Sequence, residues 1–122
     1  MMGVCIMDIR KLINIIDDAE QEAMIAASEY ESKHFAGGSC GACGFAWVIL
    51  FEYDEKVIKG NTTMGRLLKR IGIEQNHERR FQVWNPSGVA TQNVDTLEQG
   101  ARAFAKVLND NGFYAYVESR LD

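Results

Sequence analysis

One short apolar run, residues 45–51, constrains the fold of this chain more than any other segment. It reads Phe-Ala-Trp-Val-Ile-Leu-Phe and is followed by Glu52. A bilayer-spanning helix needs about 20 apolar residues, so this run is too short to cross a membrane, and its aromatic and β-branched content favours a strand. Because both faces of that strand are apolar, the run predicts a central strand that is covered on both sides. We accordingly assign Trp47 to the core.

The segments on either side of this strand predict an α+β fold. They are, in order, a long amphipathic helix from residue 8 to about residue 33, a glycine-rich loop at 36–44, a short helix that begins near Thr62 and ends at Gly72, a strand at 81–84, a turn at 85–88, a second strand at 89–94, a helix capped by Asp95 or Thr96, and a strand at 113–118. The strands at 81–84 and 89–94 are expected to pair as a hairpin. The resulting order, α-β-α-β-β-α-β, predicts a mainly antiparallel sheet of about four strands, with two helices besides the long N-terminal one.

Length and composition indicate a single domain. The chain has 122 residues, of which 47% are hydrophobic and 25% are charged, as in ordinary globular domains. We expect one domain over 1–122, with a core at 39–122 and a helix at 8–33 whose wide apolar stripe either completes that core or contacts another subunit. The first residues lack the basic start of a signal peptide, and the three cysteines are too few for a disulfide framework. These features predict a cytoplasmic protein without a membrane segment.

The charge distribution points to a small anionic ligand. A net charge of −4 disfavours binding to duplex DNA or RNA, where phosphate contacts dominate affinity. The charge is uneven, however. Residues 1–55 hold three basic and ten acidic side chains, residues 56–80 hold seven and two, and residues 81–122 hold three and five. A local basic patch in an acidic protein suits a small anion better than a long polyanion.

The pair Cys40 and Cys43 has the spacing of a metal-binding or redox motif, but its surroundings favour neither. A zinc site needs two more ligands, and the available Cys5, His34 and His77 form no second paired motif. A thioredoxin-like pair would lie between a strand and a helix, whereas this pair precedes a strand. We therefore expect no metal, and interpret the cysteines as small residues in a tight glycine loop.

The sequence also offers no recognisable catalytic arrangement. Both histidines lie in polar surroundings without a nucleophile at a known spacing, and the serines occupy no nucleophile-elbow motif. We expect no catalytic residues and no cofactor, and hence a binding protein.

The segment Lys59-Gly60-Asn61-Thr62 predicts a phosphate subsite. It opens the second helix, where free backbone N–H groups and the positive end of the helix dipole favour an anion. Arg66 and Lys69 follow within two turns and add positive charge.

Residues around the predicted hairpin could bind a nucleotide base or ribose. Phe81 and Trp84 either stack on a base or belong to the core, and both interpretations fit the pattern. Asn85, Gln92 and Asn93 supply paired hydrogen-bond donors and acceptors. Together with the phosphate subsite, these groups predict a site for a nucleotide-like molecule.

Six segments, taken together, resemble a family of small phage and prophage proteins, the anti-Thoeris sponges. They are Cys-Gly-Ala-Cys-Gly-Phe-Ala-Trp-Val (40–48), Lys-Gly-Asn-Thr (59–62), Trp-Asn-Pro-Ser-Gly (84–88), Gln-Asn-Val-Asp (92–95), Gly-Ala-Arg-Ala (100–103) and Ser-Arg-Leu-Asp (119–122). The resemblance covers residues 39–122, and the long N-terminal helix matches in character only.

The resemblance implies an anti-defence protein that sequesters cyclic ADP-ribose isomers made by bacterial TIR-domain proteins, here glycocyclic ADP-ribose, and does not cleave them. It further implies a homo-oligomer with ligand pockets at subunit interfaces, and a possible separate site for cyclic trinucleotides. The resemblance also suggests which residues contact the ligand. These are Phe81 and Trp84 for stacking, Asn85, Gln92 and Asn93 for polar recognition, and Lys59, Thr62, Arg66 and Arg120 for phosphates. Replacing Arg66 or Arg120 by alanine is expected to weaken binding at least about tenfold, because charge-assisted bonds to phosphate are strong.

Two other functions remain open from the sequence. One is a hydrolase or cyclase acting on the same class of nucleotide. The other is an inhibitor that binds a basic host protein through the acidic N-terminal helix.

Overall fold

A computed structural model describes residues 8–34, 42–91 and 93–121 and confirms the predicted α+β class, single domain and element order. The elements are α1 (Ile9–His34), β1 (Gly44–Glu52), α2 (Thr63–Arg70), β2 (Glu74–Gln75), β3 (Phe81–Trp84), α3 (Val94–Asp110) and β4 (Phe113–Leu121). The predicted bounds of α1, β1 and β3 agree with these to within a residue or two, and β4 continues three residues beyond its predicted end.

The four strands form one sheet in the order β2-β3-β1-β4, and every pair of neighbours is antiparallel. β1 lies between β3 and β4, as its apolar sequence predicted. From β1 onward, the elements follow the β-α-β-β-α-β order of ferredoxin-like folds, with α1 added before it.

Both long helices pack on one face of this sheet. On that face β1 presents Ala46, Val48 and Leu50, each at most 1% exposed. α3 packs on β1 and β4, and α1 packs along α3, so that Leu12 of α1 and Phe104 of α3 are buried in the same core. Each fully buried large apolar side chain contributes about 1.5 to 3 kcal/mol to folding. The two long helices therefore cover one face of the sheet and leave its second face available for other contacts.

The hairpin partner of β3 differs from the prediction. β3 pairs with β2 at Glu74–Gln75, and the described residues of the segment 89–94 form no strand. After β3 the chain turns sharply, with Asn85 at φ 44° and Gly88 at φ 67°, and the Gly88 N–H donates to the Asn85 carbonyl. The segment then runs to an isolated bridge between Asn93 and Cys43. The prediction of a strand at 89–94 is wrong because a segment this short, following a turn, does not separate a strand from an extended loop.

The caps of the two shorter helices explain where they begin. Thr62 caps α2 as predicted, since its Oγ1 accepts a hydrogen bond from the Gly65 N–H at 3.1 Å. α3 is capped by Asn93 rather than by the predicted Asp95 or Thr96. The Oδ1 of Asn93 accepts from both the backbone N–H and the Oγ1 hydroxyl of Thr96. Asparagine is as good an N-cap as aspartate, so the sequence pattern alone did not choose between neighbouring caps.

The second face of the sheet is where the structure departs most from expectation. Ile49 and Phe51 are buried there, but Phe45 and Trp47 are only half-buried, so this side of β1 is not fully covered. The assignment of Trp47 to the core is therefore wrong. Its indole ring lies on the open side of the sheet, where β3 and β4 contribute further aromatic and charged side chains.

Candidate functional site

The open side of the sheet carries an aromatic surface, here called the aromatic face, formed by Phe45, Trp47 and Trp84. The centroids of the two indole rings lie 5.2 Å apart with planes inclined by 14°, which is a stacked geometry. Phe45 lies 5.5 Å from Trp84, measured between ring centroids. Because Trp84 is 51% exposed, the aromatic face can accept a further planar group.

Two charged residues of β4 border the aromatic face. The guanidinium carbon of Arg120 lies 5.7 Å from the centre of the Phe45 ring, a cation–π contact. The Oε1 of Glu118 accepts a hydrogen bond of 2.9 Å from the indole N–H of Trp47. No ion pair involves Arg120 among the described residues, so its charge is available to an anion. The structure therefore brings the predicted residues Trp84 and Arg120 onto one surface.

A second aromatic cluster lies farther along the same face. Phe51 and Tyr116 stack with centroids 5.6 Å apart, and Tyr114 contacts both rings. Arg80 lies over Phe51 at 5.6 Å. Burial raises the pKa of the Tyr116 hydroxyl, and the nearby carboxylate of Glu118 adds to that shift, while Arg80 opposes it. The hydroxyl therefore stays protonated and able to donate.

Trp84 also borders a pocket of about 300 Å³ between α1 and the turn that follows β3. α1 contributes Glu20 and Met24 to this pocket, and the turn contributes Asn85. Partial burial, and in second place the charge of Asp17, raises the pKa of the Glu20 carboxyl. The pocket thus combines apolar surface with one carboxylate, two amides (Gln21 and Asn85) and the hydroxyl of Ser87, groups that suit a base or a hydroxyl better than a phosphate.

The predicted phosphate subsite forms a separate basic pocket of about 580 Å³ at the start of α2. Its lining residues are Val57, Lys59, Gly60, Asn61, Lys69, Gln75 and Arg79. Three of these side chains are cationic, none is acidic, and none of the three forms an ion pair within the described residues. A pocket with this charge favours an anion.

Local packing explains the glycines around this basic pocket. A Cβ on Gly60 would lie 2.6 Å from the Lys69 Nζ and 2.8 Å from the Gln75 Oε1, so these two side chains converge over it. A Cβ on Gly65 would lie 2.2 Å from the backbone oxygen of Lys59, which cannot give way. The loop therefore lies directly against the first turn of α2.

The residues predicted to bind phosphate near the start of α2 have different roles in the structure. Lys59 lines the basic pocket, while Thr62 uses its hydroxyl to cap α2 and to donate to the Lys59 carbonyl at 2.6 Å. Arg66 is exposed on α2 and does not line the pocket. The basic pocket is built from the loop before α2, from α2 itself and from the β2–β3 hairpin. The aromatic face is built from β1, β3 and β4, so the structure groups the predicted site residues in two places.

Phe81 is not a stacking residue in this structure. Its side chain is 0% exposed and belongs to the core, opposite Leu50 in the sheet. Phe81 and Trp84 stand three residues apart on β3, so they point to opposite faces of the sheet. The sequence left both interpretations open for each ring, and the alternation of the strand decides between them.

The amide side chains that were predicted to contact the ligand lie in different environments. The side chain of Asn85 is held within its own turn, where its Oδ1 accepts from Ser87, although the residue also borders the α1 pocket. Asn93 is buried, and its Nδ2 has no hydrogen-bond partner among the described residues. A buried amide donor without a partner is uncommon, so it is available to an acceptor. Gln92 and Cys40 lie outside the described residues.

Among the residues that the structure places at these sites, sequence reasoning missed Phe45, Trp47, Glu118 and Arg79. Trp47 stands directly opposite Trp84 in the sheet, a pairing that only the strand register reveals. Glu118 is opposite Trp47 on the other side. Arg79 was visible as part of the basic segment 56–80, but its approach to Lys59 depends on the β2–β3 hairpin.

The described residues contain no group of three His, Cys, Asp or Glu side chains that could hold a metal ion, and Cys43 is exposed with a free thiol. None of the helices in the described part of the chain is both long and apolar enough to cross a membrane. Compared with protein-family models, curated proteins and solved structures, the chain matches none.

Proposed function

We propose that this protein binds and sequesters a cyclic nucleotide immune signal, glycocyclic ADP-ribose, without cleaving it, and thereby blocks activation of a Thoeris effector in the cytosol of an infected cell. The observation that carries the proposal is the half-exposed Trp47–Trp84 stack beside the guanidinium of Arg120, which forms no ion pair with any described residue. The resemblance to the anti-Thoeris sponges supports the choice of ligand.

The chemistry of the aromatic face fits the parts of such a ligand. An adenine ring stacks on Trp84, and a pyrophosphate accepts charge-assisted hydrogen bonds from Arg120. Stacking of this kind contributes about 1 to 3 kcal/mol per base, which alone is far from tight binding.

A sponge acts by stoichiometric capture, so it requires a dissociation constant near the nanomolar range, equivalent to about −12 kcal/mol. One open aromatic surface does not reach that value. We therefore propose a homo-oligomer in which a neighbouring subunit closes the site, and in which the basic pocket supplies further phosphate contacts. The exposed side chains of Ile13, Met24 and Ile25 on α1 support such a subunit contact.

Two of the described serines are hydrogen-bonded to groups other than a histidine. Ser87 donates to the amide oxygen of Asn85, and Ser119 donates to the carboxylate of Glu98. Neither pair includes the histidine base that activates a serine nucleophile in acyl and phosphoryl transfer. The hydrolase alternative predicts turnover, which the following experiment detects.

The proposal is tested by mixing the purified protein with glycocyclic ADP-ribose, removing free ligand by filtration, denaturing the protein with heat and analysing the released ligand by chromatography. Depletion followed by recovery of unchanged ligand is the expected result. Recovery of an altered product would replace sequestration by catalysis. The Trp84→Ala variant serves as the matched control, because it removes the exposed ring and, at a protein concentration close to the dissociation constant of the wild type, is expected to leave more of the ligand in the filtrate.

A second function, inhibition of a basic host protein, is favoured by one observation. α1 combines exposed apolar side chains with many exposed acidic ones, the composition of a helix that binds a basic partner. If glycocyclic ADP-ribose is not depleted at all, this function takes precedence. Its own test is capture of a basic protein in the absence of any nucleotide, with loss of capture when Ile13 and Met24 are replaced by serine.

A further inference from the structure

Glu118 lies beside the Trp47–Trp84 stack and is hydrogen-bonded to one of its rings. It stands directly opposite Trp47 in the pairing of β1 with β4. One carboxylate oxygen accepts the indole N–H of Trp47 at 2.9 Å, and the other accepts the Tyr116 hydroxyl at 3.4 Å. The carboxylate is thus held from both sides and connects the two aromatic clusters of the sheet.

The bond from Trp47 to Glu118 restricts the orientation of the indole ring. An indole has a single N–H donor, so fixing its acceptor selects one rotation of the ring about the side-chain bonds. In that rotation Trp47 lies nearly parallel to Trp84, at a ring angle of 14°. Trp84 makes no side-chain hydrogen bond within the described part of the chain, so ring contacts alone hold its exposed indole.

We propose that Glu118 is the positioning residue of the aromatic face: by accepting the Trp47 N–H, it holds Trp47 parallel to Trp84 and preforms the stacking surface before any ligand binds. The effect on ligand affinity rests on the proposed function, whereas the effect on the tryptophan pair does not. Preforming a binding surface improves affinity because less side-chain freedom is lost on binding.

The chain offers a spectroscopic readout that isolates this pair. It has two tryptophans, and both belong to the stack. Two stacked indoles couple their electronic transitions and give a paired positive and negative band in circular dichroism, which disappears when the rings separate. The free protein therefore reports the geometry of the stack without a ligand.

The experiment compares three substitutions of Glu118 in the free protein. Glu118→Gln keeps an acceptor oxygen for Trp47 and is expected to retain the coupled band. Glu118→Ala removes the acceptor and is expected to lose at least about half of the band. Glu118→Thr is included because threonine favours strands and so preserves β4 if alanine destabilises it. Its short side chain does not reach the indole, and it is expected to behave as alanine does.

A matched control is Glu74→Ala, which deletes another exposed carboxylate from the same side of the sheet, opposite Gln82. It is expected to leave the coupled band unchanged. An undiminished band in folded Glu118→Ala or Glu118→Thr would overturn the proposal, as would loss of the band in a folded Glu118→Gln.

Binding of glycocyclic ADP-ribose then separates this proposal from the proposed function. Glu118→Thr is expected to bind at least about fivefold more weakly than the wild type, a loss in the range of a single hydrogen bond. Glu118→Gln is expected to bind within about twofold of the wild type. If the wild-type protein does not bind this ligand, the proposed function fails, while the coupled band still decides whether Glu118 positions Trp47.

Discussion

Trp47 and Trp84 face each other across neighbouring strands of the sheet, and their rings stack at 5.2 Å on a side that α1 and α3 leave open. The two tryptophans are far apart in the sequence. The strand register therefore turns two separate aromatic residues into one surface. The candidate binding site depends on this relationship more than on any local motif.

Replacing the exposed ring tests that surface. Trp84→Ala is expected to weaken binding of glycocyclic ADP-ribose by about 5- to 150-fold, the range for one base stacked on an aromatic side chain. Because Trp84 is 51% exposed, the melting temperature is expected to change little. Isothermal titration calorimetry measures the affinity. As a control, Tyr53→Ala removes another exposed ring, outside the aromatic face, and is expected to bind as the wild type does. Wild-type affinity in Trp84→Ala would exclude stacking of the ligand on Trp84.

The guanidinium next to Phe45 tests the phosphate contact. Arg120→Ala is expected to reduce affinity at least about tenfold, since a charge-assisted bond to phosphate contributes about 1.5 to 3 kcal/mol. The loss should shrink at high salt, because salt also weakens the wild-type interaction. Arg102→Ala provides the control, as Arg102 is an exposed arginine of α3 paired with Glu98. Similar affinities in both variants would remove Arg120 from the site.

The basic pocket is tested with inorganic pyrophosphate, so that no base contributes. The double variant Lys59→Ala with Lys69→Ala is expected to lose most of the binding, because it removes two of the three cations that line the pocket. Lys56→Ala is the control, since Lys56 is paired with Asp54 and does not line the pocket. Titration calorimetry at low and high salt distinguishes the variants. Pyrophosphate binding that survives the double change would place the phosphate site elsewhere.

Burial predicts that Phe81 acts on stability and not on ligand contact. Phe81→Ala is expected to lower the free energy of unfolding by about 3 to 5 kcal/mol, as is typical for a buried phenylalanine. Phe81→Leu keeps most of the apolar volume and is expected to fold with a smaller loss. Denaturant unfolding measures both. If folded Phe81→Leu bound the nucleotide more than about tenfold less tightly, a range expected for a lost stacking contact, a direct role would have to be reconsidered.

Asn93 allows capping and ligand contact to be separated. Asn93→Ala removes the cap of α3 and is expected to cost about 0.5 to 2 kcal/mol of unfolding free energy. Asn93→Asp keeps the capping oxygen and replaces the unpartnered Nδ2 by an acceptor, so the helix should remain. Thermal unfolding and calorimetry together give both quantities. Weaker nucleotide binding by a fully stable Asn93→Asp that persists at high salt, where charge repulsion is screened, would assign the amide to the site, and unchanged binding would confine Asn93 to capping.

Much of the fold was accessible from the sequence because it depends on local patterns. The periodicity of α1, the apolar run of β1 and the capping threonine of α2 are each encoded within a few neighbouring residues. The hairpin of β3 was not, since its partner is a two-residue strand with no apolar alternation to mark it. The cap of α3 was misplaced for a similar reason, because several neighbouring polar residues are competent caps.

By itself, the sequence determined the α+β class, the central position of β1, the basic segment at 56–80 and the presence of the aromatic and amide groups. Tertiary structure decided which of those groups remain accessible. It buried Phe81, left Trp47 half-buried on the open side of the sheet and placed Trp47 next to Trp84 and Glu118 through strand pairing. The physical reason is that side chains alternate between the two faces of a strand, and only the packing of α1 and α3 determines which face is buried.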